Sequence, residues 1–261
     1  MRYLNNSFIT NAKGKPIIPV QYYPPLEFIS PQWHIYDANA NKHYYERMVR
    51  SHEQVVASYR VPAKDVTPGK EINNWHLNNL SYTLYYFDEP ILYNAYLSKT
   101  VYRIYSEAGL MNFDYVIDVV KESDSQYIDL KILKGRLPFI HSNTLDSLGR
   151  IIPPNAHVPV YIYHQPITTG QFKRIKYLID STGFVNMPST PKESAAMDVS
   201  FLTVEVHNKQ GYKFVARWMD GEQEVGLKSI VTEIKMLCDF YEHEQKVVRE
   251  FSRRERENSE R

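Results

Sequence analysis

Residues 197–218, MDVSFLTVEVHNKQGYKFVARW, alternate apolar with polar side chains on both sides of the short run Asn208-Lys-Gln-Gly211. A side-chain period of two belongs to a strand, and Asn and Gly accept the tight backbone of a reversal. The stretch therefore predicts a β-hairpin, with strands over 197–206 and 211–218. Upstream, 115–120 and 127–133 repeat the pattern around the polar turn 122–125, and 101–105 reads as another strand. Residues 157–164, rich in Val and Tyr, add one more, and the crowded aromatic and aliphatic residues of 80–87 read as a strand buried on both faces.

Two helices frame these strands. Over 168–182, Thr168 or Thr169 can cap, Phe172, Ile175, Leu178 and Ile179 share a face, and Gly183 supplies a left-handed stop. From Val225, the residues Leu227, Ile230, Val231, Ile234, Leu237, Cys238 and Tyr241 form an apolar stripe that carries a long helix to about residue 250. Strands with helices added and no regular βαβ alternation define an α+β protein, a mixed or antiparallel sheet packed against a short helix (168–182) and a long C-terminal helix (225–250).

The N-terminal third reads differently. Pro16, Pro19, Pro24, Pro25 and Pro31 forbid a continuous helix and predict an extended Pro-rich arm over 15–31, held down by its own apolar side chains with Trp33 as anchor. The spacing of Tyr44, Tyr45, Met48, Val49, Val55 and Val56 predicts a helix over 41–59. Residues 63–74, with Pro68-Gly69, read as a loop, and 135–154 as a second, longer one. The expected organisation is an arm and helix (1–79) packed on a main domain (80–250), followed by a charged tail (251–261).

Composition narrows the function classes. The formal charge of +1 gives no drive toward phosphate backbones, so nucleic acid is not the expected partner. Cys238 is the one cysteine, which excludes an internal disulfide and a multi-cysteine zinc site, and its apolar neighbours make it a buried thiol. No run of 18 apolar residues occurs, and 1–19 holds no apolar stretch of leader length. The expectation is a chain without membrane insertion, cytoplasmic as it stands, or periplasmic or envelope-associated if a leader has been removed.

Beyond the periodicity, 89–94 (EPILYN), Val101-Tyr-Arg103, the Phe172 helix closing in 183–187 (GFVNM), Asp198, 202–205 (LTVE), Tyr212 and 215–218 (VARW) resemble a family of bacterial hypothetical and envelope proteins of unknown function. The resemblance spans about residues 89–241 and implies an architecture without a mechanism. Lys213 stands where those proteins carry His after the Tyr, and Met219-Asp220 replaces a Ser or Thr followed by Pro.

Candidate sites follow from residue type. In the cluster Asp198, Glu205 and Arg217, with His207 nearby, the hairpin could bring Glu205 and Arg217 onto one face as a carboxylate and guanidinium; that is first a structural ion pair, and a hydrolase site only with a pocket and a raised carboxylate pKa. The nine histidines fall on different elements in no metal-binding spacing, so no metal is expected, and with no Gly-rich phosphate loop no cofactor is expected. Asp114, Asp118, Asp124 and Asp129 read as solvated carboxylates and receive no role.

The chain contains 21 Tyr, which with Trp33, Trp75, Tyr212 and Trp218 suggests a contact face, since such rings give large area at small entropic cost. The leading expectation is a non-catalytic protein-binding role, as in an immunity or accessory protein of a bacterial system. A hydrolase centred on Asp198, Glu205 and Arg217, or an envelope subunit whose arm extends a neighbour's sheet, stand as alternatives.

Overall fold

The computed structural model describes Tyr22 and residues 26–37, 42–51, 54–62, 81, 83–92, 97–107, 113–134, 158–187, 201–218 and 225–259. Among the described residues, six antiparallel strands make the main sheet: β4 (Thr100–Glu107), β5 (Tyr115–Glu122), β6 (Ser125–Leu133), β7 (Val160–Pro166), β8 (Phe201–Asn208) and β9 (Gly211–Trp218). Their spatial order is β7-β6-β5-β4-β8-β9, so β4 lies inside the sheet between the two hairpins. The fold is α+β, as the patterning predicts, and every pairing in this sheet is antiparallel.

Both expected hairpins are present in register. Glu122 pairs with Ser125 across a turn whose Ser123 has φ 37°, and Asn208 pairs with Gly211. Gly211 takes φ 135°, a backbone that a Cβ would strain. Alternation then sorts the side chains onto two faces. Ile104, Ile117, Val119, Leu130, Leu202, Val204 and Val215 belong to one core, while Val101, Tyr105, Val116, Val120, Phe214 and Ala216 belong to another.

Helices cover the first face. Helix α1 (Thr169–Ser181) begins with a capping box, in which Thr168 and Gln171 satisfy each other's backbone amides, and Gly183 beyond its end sits at φ 70°. Its Phe172, Ile175 and Ile179 are buried. Helix α2 (Val225–Leu237) packs beside α1: a Cβ built on Gly226 would lie 2.7 Å from Thr182 Cβ, and Arg174 Nε lies 3.7 Å from Glu233. Helix α3 (Phe240–Ser259) completes the layer.

The single C-terminal helix expected from the apolar stripe is two helices. The chain breaks at Cys238 and Asp239, where Asp239 adopts φ 47°, a left-handed conformation that Asp tolerates better than most residues. The stripe continues through the break because Phe240 and Val247 return to the same core, which hides the interruption from periodicity. Cys238 is buried there, and burial pushes its thiol up to about 12. The charged residues past 250 remain helical to Ser259.

Two further expectations change. Where a helix is expected over 41–59, the described residues are strands: β1 (Leu26–Asp37), β2 (Lys42–Ser51) and β3 (Gln54–Pro62) form a separate antiparallel sheet in the order β1-β2-β3. Tyr44, Tyr45, Val49, Val55 and Val56 are β-branched or aromatic, and that preference overrides their helix-compatible spacing. Part of 80–87 is a helical turn, with the Phe87 amide bonded to the Thr83 carbonyl at 2.9 Å, and Leu84 and Phe87 pointing into the second core. Within the proposed arm, Tyr22 is fully buried, its amide on Ser81 Oγ at 3.0 Å and its hydroxyl on the Glu89 carbonyl at 2.8 Å. The loops expected at 63–74 and 135–154 lie outside the described residues, as does the rest of the arm before residue 26.

Candidate functional site

The second face of the sheet buries a charged cluster. Arg103 stands at the middle of β4, directly opposite Asp118 on β5 and Glu205 on β8. Directly paired residues share a face, so an Arg in the apolar strand VYRIY meets an Asp in the apolar strand YVIDVV without any loop having to deliver them. Glu89 enters from the segment that follows the helical turn at 83–86, and Lys131 enters from β6.

Arg103 has no exposed surface. Its Nε and Nη2 grip Asp118 bidentately at 2.8 and 2.9 Å, Nη2 also donates to Glu89 Oε2 at 2.6 Å, and Nη1 donates to the Pro90 carbonyl at 3.1 Å. Lys131 Nζ donates to Glu89 Oε1 at 2.5 Å and to the Phe87 carbonyl at 2.8 Å. Tyr212 donates its hydroxyl proton to Glu205 Oε1 at 2.7 Å. Glu205 Oε2 has no hydrogen bond, and Arg103 Nη1 stands 3.6 Å from it.

Two cations face three carboxyl groups, so full ionisation would leave uncompensated negative charge in a poorly solvated place. Burial alone would raise Asp118, but the Arg103 guanidinium overrides it and holds that carboxyl below its usual range. Burial, then the charge of Asp118, push Glu89 up to about 7. Burial also raises Glu205, and Arg103 only partly opposes it. With one oxygen on a phenol and the other unbonded, Glu205 is the carboxyl that the cluster serves least. Burial opposes the charge of Arg103 itself, yet Asp118 and Glu89 outweigh it and raise its pKa further.

The hydrolase reading required Glu205 and Arg217 on one face, and the register separates them. Glu205 pairs with Phe214, while Arg217 pairs with Leu202, an odd offset that sends the two side chains to opposite sides of the sheet. Arg217 Nη1 donates to the Ala216 carbonyl at 2.8 Å. His207 shares the Glu205 face but is held elsewhere, with Nδ1 2.7 Å from the Leu92 carbonyl and Nε2 3.1 Å from the Leu97 carbonyl; burial lowers its pKa. Asp198 lies outside the described residues.

The proposed contact residues also divide. Tyr212 is buried and spent on Glu205, so it offers nothing to a partner. Trp33 lies on β1 and Trp218 ends β9, with the side chains of both outside the described set, and Trp75 lies wholly outside it. Asp118, read from sequence as solvated, is 6% exposed and anchors the buried fork. The available signal was a lone charge inside each of two strongly apolar strands.

Among the described residues, no group of three or more His, Cys, Asp or Glu could hold a metal ion, and no helix is long and apolar enough to cross a membrane. No family model, curated protein or solved structure matches the chain.

Proposed function

We propose that this chain is a binding protein whose partner is another protein, with an immunity or accessory role in a bacterial system as its setting. The observation that carries this reading is the apolar surface of the helical layer. Tyr177 on α1 is 60% exposed, and Val225 at the start of α2 is 82% exposed. Val225 adjoins Gly226, which nests against Thr182 and Met187, so it shares the α1–α2 junction with exposed Val185. Large apolar groups left in water on the helical layer support a role in contact. The charged groups of the second face support the same reading, because Arg103, Asp118, Glu89 and Lys131 are engaged with one another and bind the sheet to its cover.

The test is purification of the tagged full chain from an extract of its own host, beside a Tyr177→Ser/Val225→Ser variant with an unchanged melting temperature. A stoichiometric protein retained by the parent and lost by the variant supports the reading. Purification without such a protein, or equal retention by both chains, overturns it.

A further inference from the structure

The two outer strands of the main sheet differ in how they are finished. Along β9, Tyr212, Phe214, Val215, Ala216 and Arg217 are all buried. On β7, Ile162 is 64% exposed and the His164 side chain 59%, and β7 has no outer neighbour among the described strands.

The register settles which backbone groups of β7 face outward. The Ile167 amide bonds to the Gln126 carbonyl at 3.0 Å, and the Lys134 amide to the Pro159 carbonyl at 2.8 Å. Both are directly opposed positions in the β6–β7 register, so the odd-numbered residues of β7 make the ladder with β6. The amides and carbonyls of Val160, Ile162 and His164 therefore point away from the sheet. Pro166 shares their parity, which costs no ladder bond because its missing N–H lies on the outer side. Protein edges are usually blunted by lysine, proline or a bulge; VYIYHQP carries no lysine, and its one proline, Pro166, stands at the end of the strand and leaves Val160, Ile162 and His164 with outward amides.

We propose that β7 is a docking edge that accepts an extended segment of the partner protein as a seventh strand, a segment alternating apolar and acidic residues. This rests on the protein-binding reading above and adds a second surface to it. The alternation follows from what flanks the edge. On the face away from the helices, the added side chains meet exposed Ile162, which favours apolar groups. On the helical face they meet Tyr161, Tyr163 and Lys246, whose ammonium lies 5.5 Å from the Tyr161 ring centre, which favours carboxylates. A second copy of β7 is a poorer occupant, since VYIYHQP has no acidic residue to offer Lys246.

The probe is a nonapeptide of alternating valine and glutamate, added to the full chain and followed by amide hydrogen exchange and fluorescence anisotropy. In the free chain the amides of Val160, Ile162 and His164 exchange fast and those of Tyr161, Tyr163 and Gln165 slowly; saturating peptide slows the first set about tenfold or more. Ile162→Pro removes an outward N–H, leaves the β6 ladder whole and weakens peptide binding about tenfold or more, and Ile162→Lys does the same where the proline variant melts early. Four results overturn the proposal: slow exchange at Ile162 and His164 in the free chain at every concentration, slowing that depends on protein concentration alone, no slowing with peptide, or equal binding by parent and variants. If the purified host partner still depends on Tyr177 and Val225 when the edge stays unprotected, the edge proposal falls and the protein-binding reading stands.

Discussion

Replacing Arg103 with Met keeps the length and much of the volume of the side chain but removes the hub of the buried cluster. The structure says what is lost: the fork on Asp118, the 2.6 Å bond to Glu89 and the bond to the Pro90 carbonyl. Among the described residues, Lys131 is then the cation left beside Glu89 and Asp118. Breaking a buried ion pair by deleting one partner costs about 3–5 kcal/mol, mainly because the remaining charge is left desolvated. For a chain of this size that corresponds to a fall in melting temperature of about 6–20 °C.

The pH dependence has a definite sign. In the parent, Asp118 has a lowered pKa, so its contribution is present above its unfolded pKa and disappears as pH falls through the folded value. In the variant the three carboxyls have raised pKa values, so stability is present at acid pH and is lost as pH rises. The deficit of Arg103→Met is thus larger at pH 8 than at pH 5, as read by urea denaturation at both. Adding Asp118→Leu to Arg103→Met recovers part of the loss, since an apolar pair requires no desolvated charge. A cost under about 1 kcal/mol, or one that is the same at both pH values, refutes the account of the cluster as a dry charged core.

Other outcomes follow from single sites. Because burial raises Glu205, it contributes a loss of stability as pH rises from the ordinary carboxylate range through its folded pKa; Glu205→Gln shrinks that loss and leaves the part due to Glu89, which thermal melts from pH 4 to 9 detect. Gly226→Ala places a Cβ 2.7 Å from Thr182 Cβ and 3.3 Å from Met187 Cε, and forcing α1 and α2 apart costs about 1–3 kcal/mol in denaturant titrations. Thr168→Ala removes the cap of α1 and lowers stability by about 1 kcal/mol, while the same change at Thr169, one residue into the helix, has a smaller effect.

Local rules made the two hairpins and α1 readable, because each carries its own turn or cap: Asn208 to Gly211, Glu122 to Ser125, and Thr168 with Gln171 and Gly183. The break at Asp239 carried no such mark, since no Gly or Pro stands there and apolar residues continue on both sides. The helix expected over 41–59 differs from the strands found because tyrosines and valines three, four and seven apart fit a helix face as well as a pair of strands. The buried cluster was hidden for another reason. Arg103 meets Glu205 only because β8 inserts beside β4, and strand order is a property of the whole chain that no window of sequence contains. Glu205 and Arg217 part company through the hairpin's own register, in which Glu205 pairs with Phe214 and Arg217 with Leu202.

The insertion of β8 next to β4 also orders the events of biosynthesis. Val101 pairs with His207, so roughly a hundred residues must leave the ribosome between the first strand of the sheet and the one that completes it. Until then the nascent chain can assemble β4 to β7 as a meander, with one flank of β4 uncovered and available to other chains. The hairpin read first in the sequence is therefore the closing piece of the sheet, and a chain truncated before residue 201 should aggregate rather than fold.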